Sequence, residues 1–370
     1  MSVKSLPVPN ATRPDSASTQ AGRIALQAVL PEELVRRVPG VLLPEARRIT
    51  AAVHNGNDYT APHSEVRRTS REAVCAVGHV PTLPIERTAR STSDNFVKFA
   101  FRTHDNHIIE AVRIPLEHPR RFSVCVSSQV GCALACSFCA TGRMGLARNL
   151  DVWEIVEQVR VVKATLDPGQ RIHGVVFQGM GEPLANFERV RAAIEVLRNP
   201  CGVSIDARNI TVSTAGLPSG IRRLAKELPN VRLAWSIGSA RTRVRASLMP
   251  INDAHPLEET YRACVEHAQA TKLSPLWAVT LLAGHNDSDS DAIALADLVQ
   301  RFRRDSGHSP RVSVIPYNAI GADDDPYRRL SEEAEQRFRR VMKEHGVTTH
   351  KRYSGGGDVA AACGQLAARS

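Results

Sequence analysis

The chain has 370 residues, 42% of them hydrophobic, and a net charge of +10 carried mostly by arginine. That composition suffices for one large domain or a large domain with a small one, and it favours a polyanionic partner, although an arginine-rich genome would produce the same excess. The longest apolar runs, such as 277–284, are too short to cross a bilayer and residues 1–20 lack the apolar core of a signal peptide, so a cytoplasmic protein with reduced cysteines is expected.

Residues 1–20, rich in Ser, Thr, Pro and Asn, predict a disordered tail. Two short helical patterns follow between 21 and about 55, on either side of Val38-Pro39-Gly40-Val41. Strand-like runs at 97–103 and 107–115, joined by His104-Asp105-Asn106, predict a β-hairpin. From residue 122 onward six buried-strand runs occur, at 122–127, 172–178, 209–213, 231–237, 277–282 and 312–316. Helical spacings fall between them: Val152, Ile155, Val156, Val159, Val162; then Phe187, Val190, Ile194, Leu197; then Leu257, Tyr261, Cys264, Ala268. A further helix is expected over about 331–344.

This alternation predicts an α/β fold, a partial or full (β/α) barrel of about six parallel strands with a small N-terminal α+β accessory region. The expected division is the tail at 1–20, an accessory region at 21–115 that is either a packing appendage or a contact for RNA, a β/α core at 116–350 and a C-terminal segment at 351–370. In such a sheet, chemistry belongs at the C-terminal ends of the strands. The unusual residues fall there: Cys132 to Cys139 after the first strand, 179–183 after the second, then Ser213, Ser236 and Asn318.

Cys132-Ala-Leu-Ala-Cys136-Ser-Phe-Cys139 presents three thiols from one short loop with no fourth cysteine nearby in sequence. Structural zinc and ferredoxin clusters ordinarily use four protein ligands. Three would leave one iron of a [4Fe–4S] cluster open to a chelator, and the amino and carboxylate groups of S-adenosylmethionine (SAM) suit that position. This spacing ahead of a β/α array resembles the radical SAM superfamily; a zinc site completed by a remote His or Cys is the competing reading. Gln178-Gly179-Met180-Gly181-Glu182-Pro183 resembles the superfamily's glycine-rich motif, which implies that Gly181 and Glu182 hold the SAM amino group. Ser213, Ser236 and Asn318 are small polar groups able to bind a carboxylate, ribose or adenine, or simply to cap their loops.

A narrower likeness follows. Cys125-Val-Ser-Ser-Gln-Val-Gly-Cys132, running into Cys136-Ser-Phe-Cys139-Ala-Thr-Gly, joins Gly179-Met-Gly-Glu-Pro183 and the terminal Ala362-Cys363-Gly-Gln-Leu366. Together they resemble the RlmN/Cfr family of RNA methyltransferases over roughly residues 108–366. The resemblance implies methylation of a ring carbon, C2 ahead of C8, of an adenosine in 23S ribosomal RNA, with transfer RNA as a further candidate. It implies that Cys363 accepts a methyl group from one SAM and that a radical from a second removes hydrogen from it. Cys125 then resolves the RNA-bound Cys363 as a disulfide, and Glu110 is the general base. A flavodoxin or ferredoxin donor, a disulfide reductant and a monomeric enzyme are further expectations. Where the family shows Ser-Leu-His-Ala, this chain has Ser236-Ile237-Gly238-Ser239, so Ile237 and Gly238 are cofactor-binding candidates without the imidazole. A radical SAM enzyme on another substrate and a zinc-stabilised RNA-binding protein are the alternatives. The pairs Arg67-Arg68, Arg120-Arg121 and Lys351-Arg352, with Arg241, Arg243 and Arg245, are candidate phosphate contacts.

Overall fold

The computed structural model describes residues 22–351 and 355–367; the tail expected over 1–20 and Arg352 of the basic pair lie outside them. In chain order its strands are β1 (Ile24–Ala25), β2 (Gly78–His79), β3 (Ile85–Arg90), β4 (Val97–Arg102), β5 (Ile108–Pro115), β6 (Arg121–Cys125) and β7 (Gln129–Gly131). There follow β8 (Leu146–Asn149), β9 (Arg171–Phe177), β10 (Ile210–Thr214), β11 (Arg232–Ser236), β12 (Leu276–Leu281), β13 (Arg311–Pro316) and β14 (Thr349–Lys351). One sheet has the order β14-β13-β12-β11-β10-β9-β6-β5-β4-β3. From β14 to β6 every neighbouring pair is parallel, whereas β5, β4 and β3 extend the sheet antiparallel. All six expected strands are present and parallel. The three residues of β14 add another, too short to leave a periodic pattern. With β14 and β3 at opposite ends of the order, the sheet is open, which leaves the partial form of the expected barrel.

Parallel neighbours need crossovers, and helices Val152–Ala164, Phe187–Arg198, Pro218–Glu227, Leu257–Thr271, Asp289–Ser306 and Glu332–Glu344 supply them. The first begins where the Glu154 carboxylate accepts the Asp151 N–H at 2.8 Å. It buries Ile155, Val156, Val159 and Val162 completely, each contributing roughly 1.5–3 kcal/mol. Ser331 caps the last helix, its hydroxyl accepting the Ala334 N–H at 3.2 Å.

The two expected N-terminal helices are Pro31–Arg37 and Leu43–His54; a third, Arg68–Val77, was not legible. Leu34, Ala46, Ile49, Val53 and Val74 give them a small core of their own. That unit docks on the crossover helix, where Arg160 donates to the Val53 carbonyl at 2.7 Å and Lys163 to Asn55 Oδ1 at 3.0 Å. The expected hairpin forms as β4 and β5, but β5 pairs with β6, and Phe99, Phe101 and Ile109 enter the main core. Residue 115 therefore marks no break in the sheet. Among the described residues no helix is long and apolar enough to cross a membrane.

Candidate active site

β6 ends at Cys125, and the chain passes through β7 into the three-cysteine loop, which β8 closes as an antiparallel partner. The Cys132 N–H donates to the Gly145 carbonyl at 2.8 Å. Gly131 makes that approach possible: its φ is +76°, and a Cβ there would lie 1.9 Å from the Gly145 oxygen. Further along, the Ser137 N–H donates to the Leu248 carbonyl at 3.0 Å, and its hydroxyl lies 2.6 Å from that of Tyr327.

Cys132, Cys136 and Cys139 line one cavity of about 990 Å³, its open mouth included. Burial pushes all three thiols up, Cys132 to about 12, so they ionise only beside a strong positive charge. Iron would provide it. Among the described residues no three His, Cys, Asp or Glu converge on a single ion; thiolates of a cluster bind separate irons and need no such convergence. The donor set fits a three-cysteine cluster.

Across the same cavity stand Gly181, Glu182, Ser213, Ser236 and Gly238, brought together from the ends of β9, β10 and β11. Glu182 is buried, accepting N–H groups from Leu184 (3.1 Å) and Ala215 (2.9 Å). Burial nevertheless raises its pKa to about 7, with those hydrogen bonds opposing the shift. An ammonium group would restore the charge that burial disfavours, so the carboxylate and hydroxyl wall fits the amino-acid end of SAM. Because the folded protein keeps this proton where the unfolded chain loses it, the stabilisation is complete below pH 4.5 and lost as pH rises through about 7. Glu182→Gln is expected to flatten the thermal stability of the metal-free protein between those values. A variant melting profile with the wild-type slope contradicts that assignment.

Gly238 has φ +70°, and a Cβ there would meet the Met249 sulfur at 2.4 Å. Met249 lines the cavity beside this glycine, so a thioether occupies the wall where a larger residue at 238 would need room. Ile237 does not line the cavity: it is fully buried, its N–H donating to Ala278 and its carbonyl accepting Arg245 Nε. The pleat turns its side chain away from the neighbouring Ser236.

A second cavity, about 660 Å³ with its open mouth included, is lined by Cys125, Val112, Ile114, Gln178, Cys139 and Cys363. Cys363 lines both cavities and stands at their junction. Asn318 lies at a neighbouring surface depression instead, and its Nδ2 donates to the Cys363 carbonyl at 3.3 Å. Glu110 is completely buried and lines neither cavity. Its carboxylate is 3.1 Å from Lys98 Nζ and accepts the Ala367 N–H at 3.0 Å.

Several cavity-lining residues were not among the site candidates read from the sequence. Gln178 and Thr141 touch both cavities, while Thr214, Thr280 and Tyr317 line the first. Arg245 was grouped with the phosphate contacts, but it is fully buried, donating to Ala215 and Ile237 carbonyls and to Asn252 Oδ1 at 2.6, 3.1 and 2.8 Å. Burial lowers its pKa to about 10. It braces the loops after β10 and β11. Its i, i+3 relation to Leu248, on the buried face of a helix, was the available clue. Arg67 is likewise engaged, with the Glu45 carboxylate at 2.8 Å; Arg120 and Arg243 remain exposed.

The Radical SAM superfamily profile matches residues 126–299. A Sorangium cellulosum protein named as a probable RNA methyltransferase is 54% identical over 92% of this chain and 91% of its own length. A protein of Anaeromyxobacter sp. named dual-specificity RNA methyltransferase RlmN is 40% identical over 82% of this chain and 79% of its own. The crystal structure of a radical SAM methyltransferase from Sphaerobacter thermophilus superposes with TM-score 0.84 at 36% identity, covering 94% of this chain and 100% of that one. With its three thiols, glycine-rich turn and terminal cysteine on one pair of joined cavities, this chain belongs to the RlmN-type family of radical SAM, SAM-dependent RNA methyltransferases.

Proposed function

We propose that the chain methylates a ring carbon, C2 ahead of C8, of an adenosine in 23S ribosomal RNA, with transfer RNA as a second substrate. The observation that carries this reading is the position of Cys363, shared between the three-thiol cavity and the cavity holding Cys125. When bound, a [4Fe–4S] cluster held by Cys132, Cys136 and Cys139, together with SAM, would supply one-electron chemistry able to activate a methyl C–H bond. Cys363 is the nucleophile: its thiolate forms the S–CH₃ bond as the sulfonium carbon–sulfur bond of SAM breaks. A purely ionic route fails because an adenine ring carbon is electrophilic.

Once the carbon bridge from Cys363 to the base exists, Cys125 attacks the Cys363 sulfur. The S–S bond forms as the sulfur–carbon bond breaks, the carbon keeps the bond pair and takes up a proton to become the methyl group, and the methylated base leaves. Glu110 accepts the ring proton in this scheme, which requires a shift of the C-terminal segment that now covers its carboxylate. The disulfide is returned to thiols by a cellular dithiol reductant, and a flavodoxin or ferredoxin delivers the electron. Cytoplasmic location and a monomeric state complete the reading. RNA from cells with and without this protein is expected to differ by one methyladenosine in nuclease digests analysed by mass spectrometry. Identical ribosomal and transfer RNA profiles overturn the proposal.

A further inference from the structure

The segment bearing Cys363 has almost no regular structure. Among its described residues it holds one short turn, Gly357–Val359, and Gly356, Ala360 and Gly364 adopt positive φ. Its position depends on what grips it from outside. Four grips come from the catalytic face: the Ala140 N–H donates to the Gly364 carbonyl at 2.8 Å, Gln365 Nε2 to the Ala319 carbonyl at 2.9 Å, Asn318 Nδ2 to the Cys363 carbonyl at 3.3 Å, and the Thr141 hydroxyl to the Leu366 carbonyl.

The others come from the antiparallel extension. Lys98 on β4 pairs in register with Val112, and Glu110 on β5 pairs with Ala100, so the two are diagonal neighbours on one face of the sheet. Both are buried, and Nζ lies 3.1 Å from the carboxylate. Lys98 Nζ also donates to the Ala360 carbonyl at 3.2 Å, and Glu110 accepts the Ala367 N–H at 3.0 Å. The ion pair therefore grips the chain on both sides of Cys363. At the start of the segment, Asp94 accepts the Gly356 N–H at 2.8 Å and Asp358 accepts the Thr92 N–H at 3.0 Å. The neighbouring positions on this face, Phe96, Val112 and Ile114, are apolar and line the Cys125 cavity. A buried ion pair at the end of such a face adds less stability than apolar side chains of similar size would. Its hydrogen bonds to the segment are what apolar residues could not make.

We propose that Lys98 is a positioning residue, whose ion pair with Glu110 clamps the Cys363 segment at the junction of the two cavities. The inference rests on the proposed role of Cys363. Lys98 does not touch the reacting atoms; it sets where the thiol stands and holds the carboxylate that must later be released.

The test uses the full-length, iron-reconstituted chain. Lys98→Met alone leaves a buried carboxylate without its counter-charge, so the double variant Lys98→Met/Glu110→Leu is made beside it to keep the fold readable. In the folded double variant, amide hydrogen exchange across 360–367 and the rate of iodoacetamide alkylation mapped to Cys363 are each expected to rise at least ~10-fold. Iron content is expected to stay at the wild-type level. In Lys98→Met, kcat is expected to fall more than KM for RNA rises, because binding surfaces are untouched while thiol placement is lost. Wild-type exchange and alkylation in the folded double variant overturn the clamp. Neither readout needs RNA methylation, so the clamp stands or falls separately from the proposed reaction.

Discussion

Cys363→Ala is expected to abolish RNA methylation, with product formation falling on the order of 10³-fold or more, as for other enzymes stripped of their nucleophile. Iron and sulfide content should be unchanged, because Cys363 comes from the C-terminal segment and not from the loop of Cys132, Cys136 and Cys139. The fold should tolerate the change as well. Cys363 is only partly buried, and the hydrogen bond it receives from Asn318 ends on its backbone carbonyl, which alanine keeps. Anaerobic assays with isotopically labelled SAM and a ribosomal RNA fragment separate the possibilities. Label reaching RNA in the variant at the wild-type rate removes the S-methylcysteine route and leaves a radical SAM methyltransferase of some other mechanism.

Gly131→Ala is expected to cost the chain its cluster. An L residue at φ +76° loses roughly 1–2 kcal/mol to backbone strain, and its Cβ would lie 1.9 Å from a backbone oxygen that cannot rotate aside. The β7–β8 register and the 2.8 Å bond from Cys132 to Gly145 must then part, which displaces the first thiol. Reconstituted protein should hold well under half the wild-type iron, while far-ultraviolet circular dichroism stays that of an intact β/α sheet. Gly145→Ala is the control. Its φ is +72°, but nothing lies within 4 Å of a Cβ there, so it should retain most of its iron. Equal iron binding by Gly131→Ala and wild type would show that the loop does not depend on this approach.

The local order of the chain was open to reading because its causes are local. Strand runs and helical faces follow from side-chain periodicity, so β6, the strands from β9 to β13 and the helix Val152–Ala164 stand where the pattern put them. The three cysteines share a cavity for a similar reason, since a loop of eight residues cannot separate its ends far. Periodicity says nothing of distant neighbours. That β5 would pair with β6, carrying Lys98 and Glu110 under the terminal segment, depends on the order of strands across the whole sheet. Arg245 reads as one more cation in an arginine-rich run until the loops after β10 and β11 close around it. Ile237 and Gly238 are adjacent in sequence, yet only Gly238 reaches the cavity.

Sequence alone determined the chemistry available: which side chains could bind iron, accept a methyl group or resolve a disulfide. Tertiary structure decided which of them meet. Cys125 and Cys363 lie far apart in the chain, and only the sheet joining β6 to its neighbours, with the segment folded across it, brings both thiols to one cavity. The physical reason is range: backbone preference and hydrophobic period act over a few residues, whereas a shared cavity is made by packing between elements far apart in the chain.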